Sequence, residues 1–478
     1  MAVGIAQRRR RELARARPRP LDGGAEPRRL RRHLQEPRLH GRDLHRLRVL
    51  GAGAAFAAAL WSAGGPAHAQ TSFSTYVALG DSLTAGYSNG SLVETHQRSS
   101  YPALLARQAA VTGFEQPLVS DPGIPTELGL LSLIPPVVAP KAATQGAPLR
   151  LTLSRPYNNL GVPGATVTDL LTRVTDAGGF HDLVLRGGGT ALAQGLSLKP
   201  TVLTLWTGNN DILGAALRGQ AIEGVTMTPL ASFRAAFQSV VNAVKASGAF
   251  VVAANVPEVT SIPYVTTIAP VVVNPTTGVP VRVNGQTVPL LGPSGPLPAS
   301  ALVTLAAAPL LLRGQGIPTS LGGTGVGLPD EVVLGPGEQA SIHARVAEFN
   351  QAIAEICQGA GIPVFDVNAF FADLAAHGRM IGGITLTSAF LTGGLFGYDG
   401  VHPSDIGYAL VANEWIRVID SHGGQLPVID LGPYLGVVSS AEARAAQAGG
   451  GRGPAPWTAF TAEAYQALLA AFPRVDGR

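Results

Sequence analysis

The stretch Tyr76-Val77-Ala78-Leu79-Gly80-Asp81-Ser82 constrains the fold more than any other part of the chain. Four apolar residues without polar alternation read as a short strand buried on both faces, the habit of a parallel sheet. Gly80 then permits a sharp turn, and Asp81-Ser82 opens a helical segment. Ser82 therefore stands at the carboxyl end of a strand, beside the free N–H groups of a helix N-terminus. A hydroxyl there can be an exposed nucleophile with an oxyanion donor at its side. It can also be a plain helix cap, a common duty of Ser and Asp. Taken alone, the stretch leaves both readings open.

The same alternation runs on. Val202–Trp206, Phe250–Ala254 and Ile362–Val367 read as further strands. Tyr101–Ala110, Val167–Val174, Leu230–Val244, Gly337–Ile356 and Ile406–Ile419 carry apolar residues at helical spacing. Asn158–Thr166 reads as a Gly/Pro turn. Strands alternating with helices predict an α/β fold, a parallel sheet covered by helices on both faces, with function at the strands' carboxyl ends. Residues 114–155, without a clear period, read as a long surface excursion. Residues 263–335 break the rhythm with an Asn284-Gly285 hairpin signal and an apolar helix over Ala299–Leu312. So long an insertion is a lid or pocket wall, or a subdomain packing on its own leucines, and both readings stand. Residues 426–478 read as a peripheral tail with one short helix, Phe460–Phe472.

The formal charge of +4 suggests a polyanion partner until the charges are located. Residues 1–48 hold 15 of the 35 Lys and Arg and 5 of the 31 Asp and Glu, and residues 49–69 hold none. From Gln70 onward that leaves 20 basic and 26 acidic residues, which removes the basic stripe a nucleic-acid binder needs. Arg46 and Arg48, the uncharged run Val49–Ser62 and Ala67-His68-Ala69 read as a signal peptide cleaved after Ala69. Secreted or periplasmic protein is the expectation, with a membrane anchor as the rival. The Arg- and Pro-rich residues 1–45 read as a disordered leader. Cys357 is the only cysteine and lies in the apolar pattern of a helix, which reads as core.

Serine needs a base to take its proton, so the histidines matter. His377 and His422 each precede a Gly at a helix end, where a cation suits the helix dipole. His343 sits within the Gly337–Ile356 helix pattern, to one side of the apolar stripe, and His96 and His181 lie in polar contexts without a carboxylate at short spacing in a turn. His402 has one, in Asp399-Gly400-Val401-His402-Pro403, a tight turn in which Asp399 can reach the imidazole and set its tautomer. Gly164 and Asn210 offer a backbone N–H and a side-chain amide as oxyanion donors, and each also reads as a turn or cap residue.

Jointly, Gly80-Asp81-Ser82-Leu83, the Gly164 loop, Gly208-x-Asn210-Asp211 and Asp399-x-x-His402 resemble the SGNH family of GDSL-type serine hydrolases, in the family's order. The resemblance spans about Ser74 to Ile419 and departs at Asn209, where many members carry Gly. It implies Ser82 as nucleophile, His402 as base and Asp399 as its orienter. Ser82, Gly164 and Asn210 would form the oxyanion hole. It also implies a three-layer α/β/α sandwich with a flavodoxin-like, mostly parallel sheet over residues 70–425, 263–335 being inserted. The expected function is a secreted carboxylesterase or lipase that forms an acyl-serine, with no cofactor and no metal. Expected partners are a small-molecule or lipid ester and a lipid interface. The alternatives are a carbohydrate O-deacetylase of the same fold and a catalytically silent binding protein. The leucines at 290, 291, 297, 302, 305 and 310–312 favour acyl chains.

Overall fold

Tyr76–Gly80 is buried along its whole length and is hydrogen-bonded to a neighbour on each side, forming strand β1. The structure, a computed structural model, describes residues 71–133, 136–435 and 459–472. The leader, the cleavage position after Ala69 and part of the tail lie outside the described residues. Four more strands join β1: β2 (Asn159–Gly161), β3 (Val202–Trp206), β4 (Phe250–Ala254) and β5 (Val364–Phe365). All pair in parallel, in the order β5-β4-β3-β1-β2. This is the flavodoxin-like arrangement, in which the chain winds outward in both directions from β1 and opens a crevice at the carboxyl ends of β1 and β3.

Alternation along the buried strands sorts their side chains between two cores. Val77, Leu79, Leu203, Leu205, Val251 and Ala253 face one side. There they meet α3 (Val167–Thr172), α4 (Asn210–Leu217), α5 (Leu230–Ala246) and α6 (Pro336–Ala360). Phe233 of α5 stacks on Phe349 of α6 with ring centroids 3.8 Å apart. Tyr76, Ala78, Val202, Trp206, Val252 and Ala254 face the other side. That core is closed by α2 (Tyr101–Gln108), α7 (Val367–His377) and α8 (Asp405–Asp420), with Tyr101 stacked on Trp415 at 5.1 Å. The result is three layers. Cys357 is buried in α6, and burial pushes its thiol up to about 12.

Several expectations needed correction. The Gly/Pro turn over 158–166 contains β2, three residues too polar and too short to leave a strand pattern. The excursion over 114–155 contains a hairpin, Leu128–Leu133 with Pro136–Pro140. The helix expected over Ala299–Leu312 forms only at Ala308–Leu312, because Leu302 and Val303 pair instead with Leu334 and Val333. The Asn284-Gly285 hairpin is present, with both residues at positive φ. The insertion's Leu290, Leu297, Leu305 and Leu311 are buried in the core, so they are not exposed for an acyl chain. Its Tyr264 N–H donates to the Gly400 carbonyl at 2.8 Å, which makes the insertion a buttress for the 399–402 turn. The tail is not peripheral: α9 (Ala462–Ala471) is seated by Phe460 and Leu468, both fully buried.

Strand register sets the seat of the short helix after β1. Gly80 lies opposite Gly161 of β2, and a Cβ at Gly161 would collide with the backbone of α1 (Ser82–Ala85) at Ala85 N, Thr84 C and Asp81 O. Gly161→Ala should therefore push α1 off the sheet. Such overpacking costs about 1–3 kcal/mol, so the melting temperature and any Ser82-dependent turnover should fall together. Thermal unfolding alongside an ester assay checks this; an unchanged melting temperature would mean that α1 does not rest on β2.

Candidate active site

Asp81 is the N-cap of α1 and accepts the Leu83 N–H through its side chain at 3.0 Å. Ser82 is thereby the first helical residue, so the capping duty falls on its neighbour. Burial pushes the Asp81 carboxyl up to about 6, eased by the Asn209 amide, which donates to it at 2.7 Å, and by the Leu83 N–H. Ser82 Oγ lies 3.0 Å from His402 Nε2, and His402 Nδ1 lies 2.9 Å from Asp399 Oδ2. A carboxylate only accepts, so Nδ1 carries the proton and Nε2 is left to accept from the Ser82 hydroxyl.

Asp399 is fully buried and His402 is 1% exposed. Val401 and His402 donate their N–H groups to Asp399 Oδ1 at 2.8 and 2.9 Å, and Gly90 donates to Oδ2 at 2.8 Å. Burial alone would push this carboxyl up, but the His402 ring and these N–H groups hold it below the ordinary carboxylate range. Gly400 supplies the positive φ of 68° that the turn needs.

The second and third stretches close on the first. Gly164 has φ 80° in the loop after β2, and Asn210 opens α4 after β3. Asn209 holds the cap position of α4 and Asn210 is not a capping residue; its Nδ2 donates to the Ala165 carbonyl at 2.9 Å, tying it to the Gly164 loop. Asp211 accepts the Val167 N–H at 2.9 Å and braces the same loop from behind. Burial pushes its carboxyl up to about 7, against the pull of that N–H. Two cavities meet at Gly164. One, of about 680 Å³, has Thr166, Asp169, Arg173 and Thr228 in its walls, and the other, of about 640 Å³, has Leu151, Pro163, Phe180 and His181. Ser82, His402 and Asp399 are thus joined in one relay at the carboxyl end of β1, while Gly164 and Asn210 follow the carboxyl ends of β2 and β3. Among the described residues no three His, Cys, Asp or Glu side chains gather in a way that could hold a metal ion.

Sequence reasoning missed the seat beneath the imidazole. Tyr87, its hydroxyl donating to the Gly90 carbonyl at 2.6 Å, sets its ring 4.8 Å from that of His402. Phe472, at the end of α9, stacks on His402 from 5.3 Å. The segment beyond Tyr87 is anchored by His96, which is far from partnerless. His96 Nδ1 lies 2.7 Å from Asp405 and Nε2 2.7 Å from Glu127; Glu127 also pairs with Lys141 and accepts from the Asn89 amide at 2.8 Å. Asn89 Oδ1 in turn accepts the Tyr398 N–H at 2.8 Å, next to Asp399. The remaining histidines among the described residues also have partners: His181 with Asp176, His343 with Glu258, His377 with Asp373 and His422 with the Val418 carbonyl.

Burial alone would push the His96 ring down, but the bonds to Asp405 and Glu127 outweigh it and lift the ring to about 10. Glu127, which burial alone would raise, is drawn to about 2 by His96 and Lys141. A ring whose folded pKa is raised stabilises the fold fully below its unfolded value of about 6.5 and loses that contribution as pH climbs through the folded value. The melting temperature should therefore decline between about pH 6.5 and pH 10. His96→Gln should melt lower than wild type at about pH 6 and show a flatter alkaline limb. A variant that keeps the wild-type slope would assign the decline to other groups.

A family model described as GDSL-like lipase/acylhydrolase matches residues 76–415. A search of the curated proteins finds no match. Among solved structures, a lipase/acylhydrolase from Enterococcus faecalis is 15% identical, with 74% of this chain and 98% of that one covered at a TM-score of 0.32. A phospholipase A1 from Streptomyces albidoflavus NA297 is 15% identical, with 73% and 99% covered and a TM-score of 0.30. An acetyl xylan esterase is 14% identical, with 71% and 97% covered and a TM-score of 0.29. Those scores decide nothing further. The family match, spanning well over half of the chain and all four stretches that converge on Ser82, does: this chain belongs to the GDSL-like lipase/acylhydrolase family.

Proposed function

We propose that this chain hydrolyses carboxylic esters through an acyl intermediate on Ser82. The observation that carries the reading is the buried relay from Ser82 Oγ to His402 to Asp399, with both links at hydrogen-bond distance. Ser82 Oγ attacks the ester carbonyl as His402 Nε2 takes its proton, and Asp399 stabilises the imidazolium that results. Charge develops on the carbonyl oxygen, where the Ser82 and Gly164 N–H groups and the Asn210 amide serve as donors. Collapse breaks the ester C–O bond, and His402 returns the proton to the leaving alcohol. Water then attacks the acyl-serine by the same route in reverse, freeing the acid.

An apolar ester is supported by the cavity of about 640 Å³ beside Gly164, with Pro125, Pro148, Leu151 and Phe180 in its walls. Leu149 and Leu151 stand 47% and 51% exposed, a surface suited to a lipid interface. A second reading, removal of acetyl groups from carbohydrate, is favoured by the cavity of about 680 Å³, where Thr166, Thr168, Thr172, Thr175, Thr228 and Ser232 present hydroxyls. Export is part of the proposal: Phe73, which packs edge-on to Tyr76 at 6.0 Å, lies on the mature side of a cut after Ala69, so such a cut leaves β1 and this contact in place.

Esters from acetyl to palmitoyl and an acetylated polysaccharide, assayed together, separate the readings. Ser82→Ala and His402→Ala should abolish turnover. Asn210→Ala should lower kcat about 10²–10³-fold with little change in KM, because its donor meets charge present only in the transition state. Its melting point should drop by the worth of one hydrogen bond, about 1 kcal/mol, as Ala165 loses its partner. Silence of the wild-type protein on every ester would leave the binding-protein reading in its place.

A further inference from the structure

Ser82 is 3% exposed and His402 1%, and neither wall of the two cavities at Gly164 includes them. What lies against the imidazole is a later segment of the same chain. Residues 459–472 form a strap fixed at both ends. At the start, Val138 of the 128–140 hairpin donates to the Ala459 carbonyl at 2.6 Å and accepts from Thr461 at 3.3 Å. Phe460 is fully buried against Tyr264 and Phe390. Thr461 caps α9, which ends at Phe472. At the far end the Arg218 guanidinium donates to the Phe472 carbonyl at 2.9 Å. The Phe472 ring, 3% exposed, is stacked on His402 with an interplanar angle of 25° and stands edge-on to Tyr87 at 5.7 Å.

An ester must bring its carbonyl to about 3–3.5 Å from Ser82 Oγ and its leaving oxygen within reach of His402 Nε2, and the Phe472 ring lies on the face of that imidazole. The walls the ring touches are an aromatic face and an imidazole face, so a hydrocarbon that replaces it loses no apolar burial. We propose that Phe472 fills, with the chain's own side chain, the subsite for an apolar part of the ester, and that the strap yields this subsite when substrate enters. The proposal rests on the ester-hydrolase reading for its substrate class. The acyl chain and the alkyl chain of the alcohol are both hydrocarbon, and the test tells them apart.

Removing the ring frees the subsite without displacement, so in the full-length protein Phe472→Ala should raise kcat/KM for hexanoyl esters about tenfold. Phe472→Trp should lower it, and Phe472→Leu, which keeps a smaller apolar filler, should fall between wild type and alanine. Melting temperatures show whether each variant is folded. Two ester series, one lengthening the acyl chain and one the alkyl chain, identify the portion held there as the one whose length dependence changes in Phe472→Ala. A binding arm is independent of turnover: in a Ser82→Ala background, calorimetry with hexanoate and with hexanol should show one of them binding about tenfold tighter once Phe472 is alanine. An equal or lower kcat/KM in a folded Phe472→Ala protein, with product binding unchanged, would overturn the proposal and make the ring a fixed wall. If no variant hydrolyses any ester, the hydrolase reading has failed, and the calorimetry still decides the subsite: tighter binding sustains it and unchanged binding ends it.

Discussion

A carboxylate with no contact with water must find every partner inside the protein, and Asp399 is such a group. Its donors come from its own turn at Val401 and His402 and, across more than three hundred residues, from Gly90. Satisfying it therefore fixes two distant segments against one another. The turn is held from below by Tyr264 of the insertion, and the Gly90 segment by the His96–Glu127–Asp405 cluster. Loops at a sheet's carboxyl end ordinarily have freedom to move; these are pinned by buried polar pairs whose loss would leave an unpaired charge in a dry interior. The insertion and the 128–140 hairpin, which look dispensable in a minimal sheet, are what make that pinning possible.

The parallel sheet was legible where burial is complete. β1 and β4 are apolar runs and β3 is one broken only by Thr204, and their limits follow directly from the residues. β2 was illegible because Asn159-Leu160-Gly161 carries no strand pattern and is held by pairing to β1. The helix expected over Ala299–Leu312 shows the opposite failure, since a short apolar run supports helix or strand and only tertiary pairing chose strand at Leu302 and Val303. In the site, Asp399 and His402 were readable as a pair because they stand three positions apart in a tight turn. That Ser82 joins them was readable only through the resemblance, for it stands 320 positions from His402. His96 gave no local sign at all: its partners are 31 and 309 residues away.

The tail was misread for a related reason. Its composition is that of a loose Gly, Ala and Pro segment, and among its described residues a few buried apolar side chains, Phe460, Leu468 and Phe472, carry the attachment of α9. Buried Phe460, Leu468 and Phe472, with the Phe472 carbonyl held by Arg218, bring the end of a ten-residue helix against His402. Composition averages such anchors away, whereas packing depends on them individually.

The lone cysteine has a consequence for how this protein can be made. Cys357 lies sealed inside α6 with its thiol pushed up to about 12, which leaves almost no thiolate for oxidants or thiol exchange. The stability of the fold draws on no sulfur–sulfur bond. Maturation is therefore indifferent to redox poise: the chain needs no oxidase or isomerase and gains nothing from glutathione. Reducing cytoplasm and oxidising medium should yield the same native state, a freedom closed to the many exported enzymes that are stapled by disulfides.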